Sequence, residues 1–108
     1  MMQMQNKILS MVSLAKKAGK VSVGYNLCKE RKDLKMIILA QDASDKTKKN
    51  AVWLAQIKKI ALKECFDKEL LGRHLGKGEI GMVGICDINF KNGIMKLFEK
   101  YETGGEGN

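Results

Sequence analysis

Two short stretches of this chain carry residue types that suit contact with a phosphate group or a nucleobase. The first, GYNLCK, runs from Gly24 to Lys29 and follows a short apolar run. A glycine lets a ligand approach the backbone closely, and the free N–H groups at a helix start attract anions. The amide of Asn26 both donates and accepts hydrogen bonds, as base edges require. Ordinary turn chemistry at a helix start explains Gly24 and Asn26 equally well.

The second stretch runs from Leu71 to Glu79 and places a Gly-Lys-Gly loop after a short predicted helix. Lysines on such a loop, like lysines that flank Gly24 in sequence, suit phosphate contacts. A flexible connection with one solvated lysine is the alternative explanation for this loop. The two stretches and the nearby Lys20 give these candidate residues for contact with nucleic acid: Lys20, Gly24, Tyr25, Asn26, Lys29, Arg73, Gly76, Lys77 and Gly78.

The whole chain is basic, with 20 lysines and arginines against 12 aspartates and glutamates. All of these cations except Arg31 and Arg73 are lysines. A formal net charge of +8 in 108 residues indicates a polyanionic partner, and nucleic acid is the first candidate. A solvated lysine surface that keeps the protein soluble is the alternative explanation.

The sequence offers little for catalysis, metal binding or cofactor binding. The single histidine, His74, has no adjacent nucleophile motif, and the glycines do not form a nucleotide-binding loop. The cysteines at 28, 65 and 86 lack the CxxC or Cys/His spacing of a zinc site. Each lies among apolar neighbours, which predicts a buried free thiol and suits a reducing compartment. We therefore predict a non-enzymatic protein without a cofactor or a metal.

The composition predicts one domain, because 44% of the residues are apolar and the length suits a single core. We expect this domain to cover residues 1–102 and the Gly-rich residues 103–108 to form a disordered tail. The first residues, MMQMQNK, lack the apolar stretch of a signal peptide, and no apolar run approaches the length of a membrane span. These features predict a cytoplasmic protein.

The elements that must position the candidate residues alternate along the chain. Helical spacing of apolar residues predicts helices over 5–18, 24–31, 44–56 and 68–75, and a last amphipathic helix that Asn89 caps. Val52, Leu54 and Ala55 are predicted to form the apolar face of the third helix. Apolar runs predict strands over 21–23, 36–40, 60–65 and 80–86. This alternation predicts an α/β domain whose central sheet lies between layers of helices.

Several segments, taken in order, resemble the ribosomal protein L7Ae family of kink-turn RNA-binding proteins, and above all its bacterial YlxQ-like branch. They are AKKAGKVSVGYN, MIILAQDAS with a following TKK, and LLGRHLGK, which together run from about Leu14 to Ile85. The resemblance implies a three-layer α-β-α sandwich with a four-stranded mixed sheet. It also implies binding to structured RNA, either ribosomal RNA or a kink-turn, which is a sharply bent duplex with tandem sheared G·A pairs. Ribosome or translation factors are further implied partners.

Positions in the motifs extend the resemblance to single residues. Gly24 matches the glycine of the family, and Asn26 matches the asparagine that contacts the G·A pairs. Gly76 matches a glycine of the second loop. The resemblance therefore implies that the opening of the second helix reads bases in the major groove, while the second loop covers the bulged side of the RNA.

Four positions depart from the pattern of the family. Leu27 stands where strong kink-turn binders usually have glutamate, and Glu30 stands where they usually have lysine. Lys77 and Gly78 occupy positions that are commonly apolar and acidic. These departures motivate an alternative function: a protein-interaction adaptor of the translation or transcription machinery with weak or no specific RNA binding.

Overall fold

The computed structural model describes residues 2–103, with side chains for residues 5–102. In this part of the chain helices and strands alternate in the predicted order. They are α1 (Met2–Lys17), β1 (Val21–Val23), α2 (Tyr25–Glu30), β2 (Met36–Leu39), α3 (Asp45–Lys58), β3 (Ala61–Glu64), α4 (Lys68–Leu75), β4 (Met82–Ile85) and α5 (Ile88–Thr103). Except for Thr103, where α5 ends, the predicted Gly-rich tail lies outside the described residues.

The four strands form one mixed sheet in the order β1-β4-β2-β3. β2 and β3 are parallel, whereas β4 runs antiparallel to both of its neighbours, β1 and β2. All residues of the two central strands are buried, because helices cover both faces of the sheet. Helix α1 packs with α4 and α5, and α2 packs with α3. The predicted three-layer α-β-α sandwich is therefore confirmed.

All three cysteines are part of the buried core. Cys28, Cys65 and Cys86 are free and buried, as the sequence predicted. Burial raises the pKa of the Cys28 thiol from 9.0 to about 12, and the neighbouring Cys86 adds to this shift. Such a thiol stays protonated and packs as a small apolar side chain.

Local capping signals set most helix ends. Gly19 has a φ of 75°, and its N–H donates to the carbonyl of Lys16 while the N–H of Lys20 donates to that of Ala15. These two bonds form a Schellman motif that ends α1 and turns the chain toward β1. Asp67 accepts a hydrogen bond of 2.7 Å from the N–H of Leu70 and so starts α4 as predicted.

Two local predictions were wrong. Asn89 does not cap α5, because the chain turns earlier: the carboxylate of Asp87 accepts a hydrogen bond of 2.9 Å from the N–H of Phe90. Val52 does not face the core and is 44% exposed, whereas Ala51 is buried. Neighbouring helical residues point about 100° apart, so the buried positions of α3 exclude position 52.

Candidate nucleic-acid interface

The opening of α2 is built around Gly24, at the end of edge strand β1. Its φ of 88° and ψ of 160° are dihedral angles that residues with a Cβ rarely adopt. The N–H of Gly24 donates to the carbonyl of Met82 (3.0 Å), and its own carbonyl accepts from Cys28 (3.1 Å). Since nothing lies within 4 Å of where a Cβ would stand, the backbone conformation and not packing requires glycine. The same open space lets a ligand approach the backbone.

The side chains at this opening face solvent. Asn26 is exposed, and its amide makes no hydrogen bond to any residue in the described part of the chain. The ammonium group of Lys29 lies 5.4 Å from the centroid of the Tyr25 ring, a cation–π contact that holds this charge beside the opening. Gly24 offers no side chain to cap the first N–H groups of α2. The six-residue helix has only a weak dipole, so the side chains carry the recognition chemistry.

A groove joins α2 to the loop after α4, although the two lie about fifty positions apart in sequence. This α2 groove has a volume of about 390 Å³ and runs along the exposed edge of β1. It is lined by Lys16, Val21, Ser22, Val23, Leu27, Glu30, Arg31 and Lys77. Lys77 therefore shares one concave surface with Leu27 and Glu30, so three of the four positions that depart from the pattern of the resembled family line the groove.

The groove is basic in spite of Glu30. Lys16, Arg31 and Lys77 give three positive charges against one carboxylate among the lining residues. The guanidinium group of Arg31 forms two hydrogen bonds with Asp33, of 2.8 and 2.9 Å, and a third of 3.3 Å with the hydroxyl of Ser22. The bonds to Arg31 lower the pKa of Asp33, so this partner stays charged and offsets Arg31. Lys16 and Lys77 are therefore the lining cations best suited to phosphate groups.

The loop that carries Lys77 is folded against α4. Gly76 ends the helix with a φ of 75°, and the N–H of Lys77 donates to the carbonyl of Gly72 (2.8 Å). A Cβ at Gly72 would overlap the backbone of Gly78, so only glycine lets the loop lie this close to the helix. Backbone contacts therefore hold the loop around Lys77 against α4.

Among the nine candidate residues, Lys77 alone is part of the groove lining. Two further candidates belong to its loop and four to the opening of α2, whereas Arg73 and Lys20 lie outside both of these parts of the interface. Arg73 is exposed on α4 and pairs with Glu69 at 3.2 Å, a contact within one helix turn. Lys20 lies at the far end of β1 from Gly24, where its carbonyl accepts a hydrogen bond of 2.7 Å from Cys86. Lys16 and Arg31, in turn, line the groove but were not among the candidates. Their signal was their position next to the turns on either side of β1 and α2.

We also searched the described residues for a membrane-spanning helix and for a metal site. No helix between residues 2 and 103 is long and apolar enough to cross a membrane. Over the same residues, histidine, cysteine and acidic side chains do not gather into a group of three that could hold a metal ion. His74 is exposed, and its ring Nδ1 lies 3.2 Å from the carbonyl oxygen of Leu70 in its own helix.

Comparisons with known proteins agree with this fold. Residues 6–92 match the Ribosomal protein L7Ae/L30e/S12e/Gadd45 family. RNA-binding protein YlxQ from Bacillus subtilis (strain 168) is 30% identical over 92 residues, which cover 82% of this chain and 92% of that protein.

Two solved structures have the same fold. A protein of unknown function from Bacillus halodurans superposes with a TM-score of 0.80 at 27% identity, over 86% of this chain and 97% of that one. The Giardia lamblia 15.5kD RNA binding protein gives a TM-score of 0.72 at 17% identity, over 94% and 89% of the two chains, a likeness of fold alone. The family match over residues 6–92, together with the relative from Bacillus subtilis, establishes that this chain belongs to the Ribosomal protein L7Ae/L30e/S12e/Gadd45 family.

Proposed function

We propose that this protein is a non-enzymatic RNA-binding protein that recognises structured RNA through the opening of α2 and the α2 groove. The observation that carries the proposal is the α2 groove, which both Lys77 of the loop after α4 and Leu27 of α2 line. The family match and the RNA-binding relative support RNA as the partner, and they agree with the prediction that the chain is not an enzyme. Its cytoplasmic location and its association with the ribosome or translation factors stay predictions.

In this proposal some residues contact bases and others contact phosphates. Asn26, which has a free amide, contacts base edges, and Gly24 lets the RNA come close to the backbone. Lys16, Lys29 and Lys77 contact phosphates, which fixes the orientation of the RNA without reading its sequence. Gly76 and Gly78 hold the loop that presents Lys77.

The preferred RNA is a kink-turn-like or ribosomal structure with a widened major groove, since Asn26 must reach base edges. Leu27 is 60% exposed and offers the RNA an apolar contact in place of a carboxylate. Glu30 lines the groove together with three cations, so its charge is offset where phosphates approach. We therefore expect the discrimination between RNAs to depend on Asn26 and the affinity to depend on the lysines.

Fluorescence anisotropy titrations with a kink-turn RNA, a plain duplex and a single strand, each at two salt concentrations, test the proposal. Asn26→Ala is expected to reduce the preference for the kink-turn by roughly 5- to 150-fold, as loss of a bidentate base contact does. Lys77→Ala should weaken kink-turn and duplex equally and reduce the salt slope by about one. Asn92→Ala, at an exposed position of α5, is the matched control and should change neither quantity.

Equal affinity of the wild-type protein for all three RNAs would overturn specific recognition. Absence of binding at low salt would overturn RNA binding altogether.

One observation favours the adaptor function as a second candidate. Val52, Trp53 and Ile57 of α3 are 44%, 49% and 59% exposed, and Val52 and Trp53 line one shallow, mainly apolar depression that a protein partner could cover. A pull-down with the wild-type protein and with Trp53→Ala tests this function. A protein partner that only the wild-type protein retains, together with no RNA binding at low salt, would support the adaptor function and overturn the RNA-binding proposal.

A further inference from the structure

A second basic depression lies at the end of the sheet where strands β2 and β3 begin. It has a volume of about 490 Å³ and is lined by apolar side chains and by five lysines, Lys32, Lys35, Lys58, Lys59 and Lys91. These residues come from the connection before β2, the end of α3 and the first turn of α5. We call this depression the lysine cleft. The fold brings the five charges together from three separate parts of the chain.

The positive charge of the lysine cleft is not balanced by carboxylates. No acidic residue lines it, and none of its lysines forms an ion pair within the part of the chain that the structure describes. The ammonium group of Lys58 donates to the carbonyl of Arg31 at 3.1 Å, a contact that leaves its charge uncompensated. The carboxylates closest in sequence are used elsewhere, because Asp33 binds Arg31 and Asp87 caps α5. Lysines gathered in this way repel one another unless an anion binds among them.

The backbone conformation of Lys59 is a second, independent observation that favours a function for the lysine cleft. It ends α3 in the left-handed conformation, with φ of 57° and ψ of 50°. Glycine or asparagine is favoured there, and a residue with a longer side chain is less stable in this conformation. The chain nevertheless places a lysine at this position, which adds a positive charge to the cleft.

The lysine cleft continues the path of the α2 groove. Arg31 lines the groove, and the next residue, Lys32, lines the cleft. The cleft lies where parallel strands β2 and β3 begin, whereas the groove runs along β1 at the opposite edge of the sheet. Val21 of the groove and Ala61 of the cleft lie in one row across the four strands, so three interstrand spacings, roughly 14 Å, separate them and one phosphate group cannot occupy both. An extended polyanion that passes along residues 31 and 32 reaches both surfaces.

We propose that the lysine cleft binds the phosphate backbone of the RNA segment that flanks the segment docked in the α2 groove. This inference rests on the proposed RNA-binding function and adds a second contact region to it. Five lysines without a fork of arginines suit phosphate charges and not base edges, so this contact is independent of sequence. An isolated phosphate ion would leave most of the five charges without a partner, which favours a chain of phosphates.

The test compares two RNAs, a kink-turn with short stems and the same kink-turn with one stem lengthened, by anisotropy at several salt concentrations. The cleft variant is Lys59→Gly combined with Lys91→Ala, because glycine suits the left-handed backbone at position 59. The control is Lys7→Ala combined with Lys96→Ala, two exposed lysines of α1 and α5 that carry the same total charge. Wild-type protein should bind the longer RNA more tightly and with a steeper salt slope.

In the cleft variant, the slope for the longer RNA should fall by about two, whereas the short RNA should bind as before. The control variant should keep the wild-type slope for both RNAs. Equal behaviour of cleft and control variants would overturn the inference, as would a wild-type protein that gains nothing from the longer stem. Binding of poly-glutamate that depends on the lysine cleft, without any such effect on RNA, would assign the cleft to acidic proteins and also overturn it.

Failure of the proposed function gives a different result, namely equal affinity of wild-type protein for the short kink-turn and a plain duplex. The cleft variant and its control still test the lysine cleft in that case, with the plain duplex as the probe.

Discussion

At the scale of single residues, Gly24 connects backbone geometry to the RNA recognition that we propose. Its dihedral angles are accessible to glycine and rarely to other residues, while the space around it is open. We predict that Gly24→Ala lowers the free energy of unfolding by about 1–3 kcal/mol and weakens kink-turn binding, because the start of α2 must shift. Urea denaturation and anisotropy measure the two effects. Gly78→Ala is the control for stability, since its site is open and has no left-handed φ. Equal stability of the two variants would contradict this explanation.

Cys28 predicts how stability depends on pH. Burial raises the pKa of its thiol from 9.0 to about 12 in the folded state. The unfolded chain therefore loses this proton first, and the stabilisation, complete below pH 9, is lost as pH rises toward 12. Between pH 9 and 11 the free energy of unfolding should fall by up to about 1.4 kcal/mol per pH unit more in the wild-type protein than in Cys28→Ala. Parallel pH profiles of the two proteins, measured by urea denaturation, would show that the thiol is not the cause.

At the scale of elements, α4 and its following loop act as one unit because Gly72 lets them touch. A Cβ at this position would overlap backbone atoms of Lys77 and Gly78, which cannot rotate away as a side chain can. We predict that Gly72→Ala destabilises the protein by about 1–3 kcal/mol and displaces the loop. RNA affinity should then fall at least as much as in Lys77→Ala, which removes the charge but leaves the loop in place. Normal RNA affinity in Gly72→Ala would contradict a role for this loop in binding.

The elements themselves follow largely from local signals in the sequence. Apolar runs and capping residues such as Gly19, Ser44 and Asp67 set the order and most bounds of the helices and strands. The start of α5 was harder to predict, since Asp87 and Asn89 carry equally good capping side chains and only the observed turn selects Asp87.

The surfaces formed by distant elements did not follow from the sequence. Strand β1 pairs with β4, about sixty residues away, and this pairing brings Lys77 to the groove beside α2. Lys16 was missed although it lies next to the turn before β1, and the phosphate contact of Lys20, at the other end of β1 from Gly24, stays a prediction. Lys32 and Lys91 belong to one cleft only because the connection before β2 and the start of α5 meet at the same end of the sheet.

At the scale of the whole molecule, the net charge of +8 has an uneven distribution. The α2 groove and the lysine cleft meet at residues 31 and 32, and together they form a basic path from edge strand β1 to the starts of β2 and β3. The apolar residues of α3 form a separate surface. RNA and a protein partner are therefore expected to change the chemical shifts of different residues, and an NMR titration distinguishes the two.

We propose that RNA docks at the opening of α2 and the neighbouring loop. Titration of the ¹⁵N-labelled protein with the short-stemmed kink-turn RNA, which does not reach the lysine cleft, tests this proposal most directly when amide chemical shifts are followed. We expect the largest changes at Gly24, Asn26, Gly76 and Lys77, with little change at Gly93 or at the indole N–H of Trp53, the single tryptophan of the chain. Large changes at Gly93 or Trp53, with the signals of Gly24 and Asn26 unmoved, would contradict it.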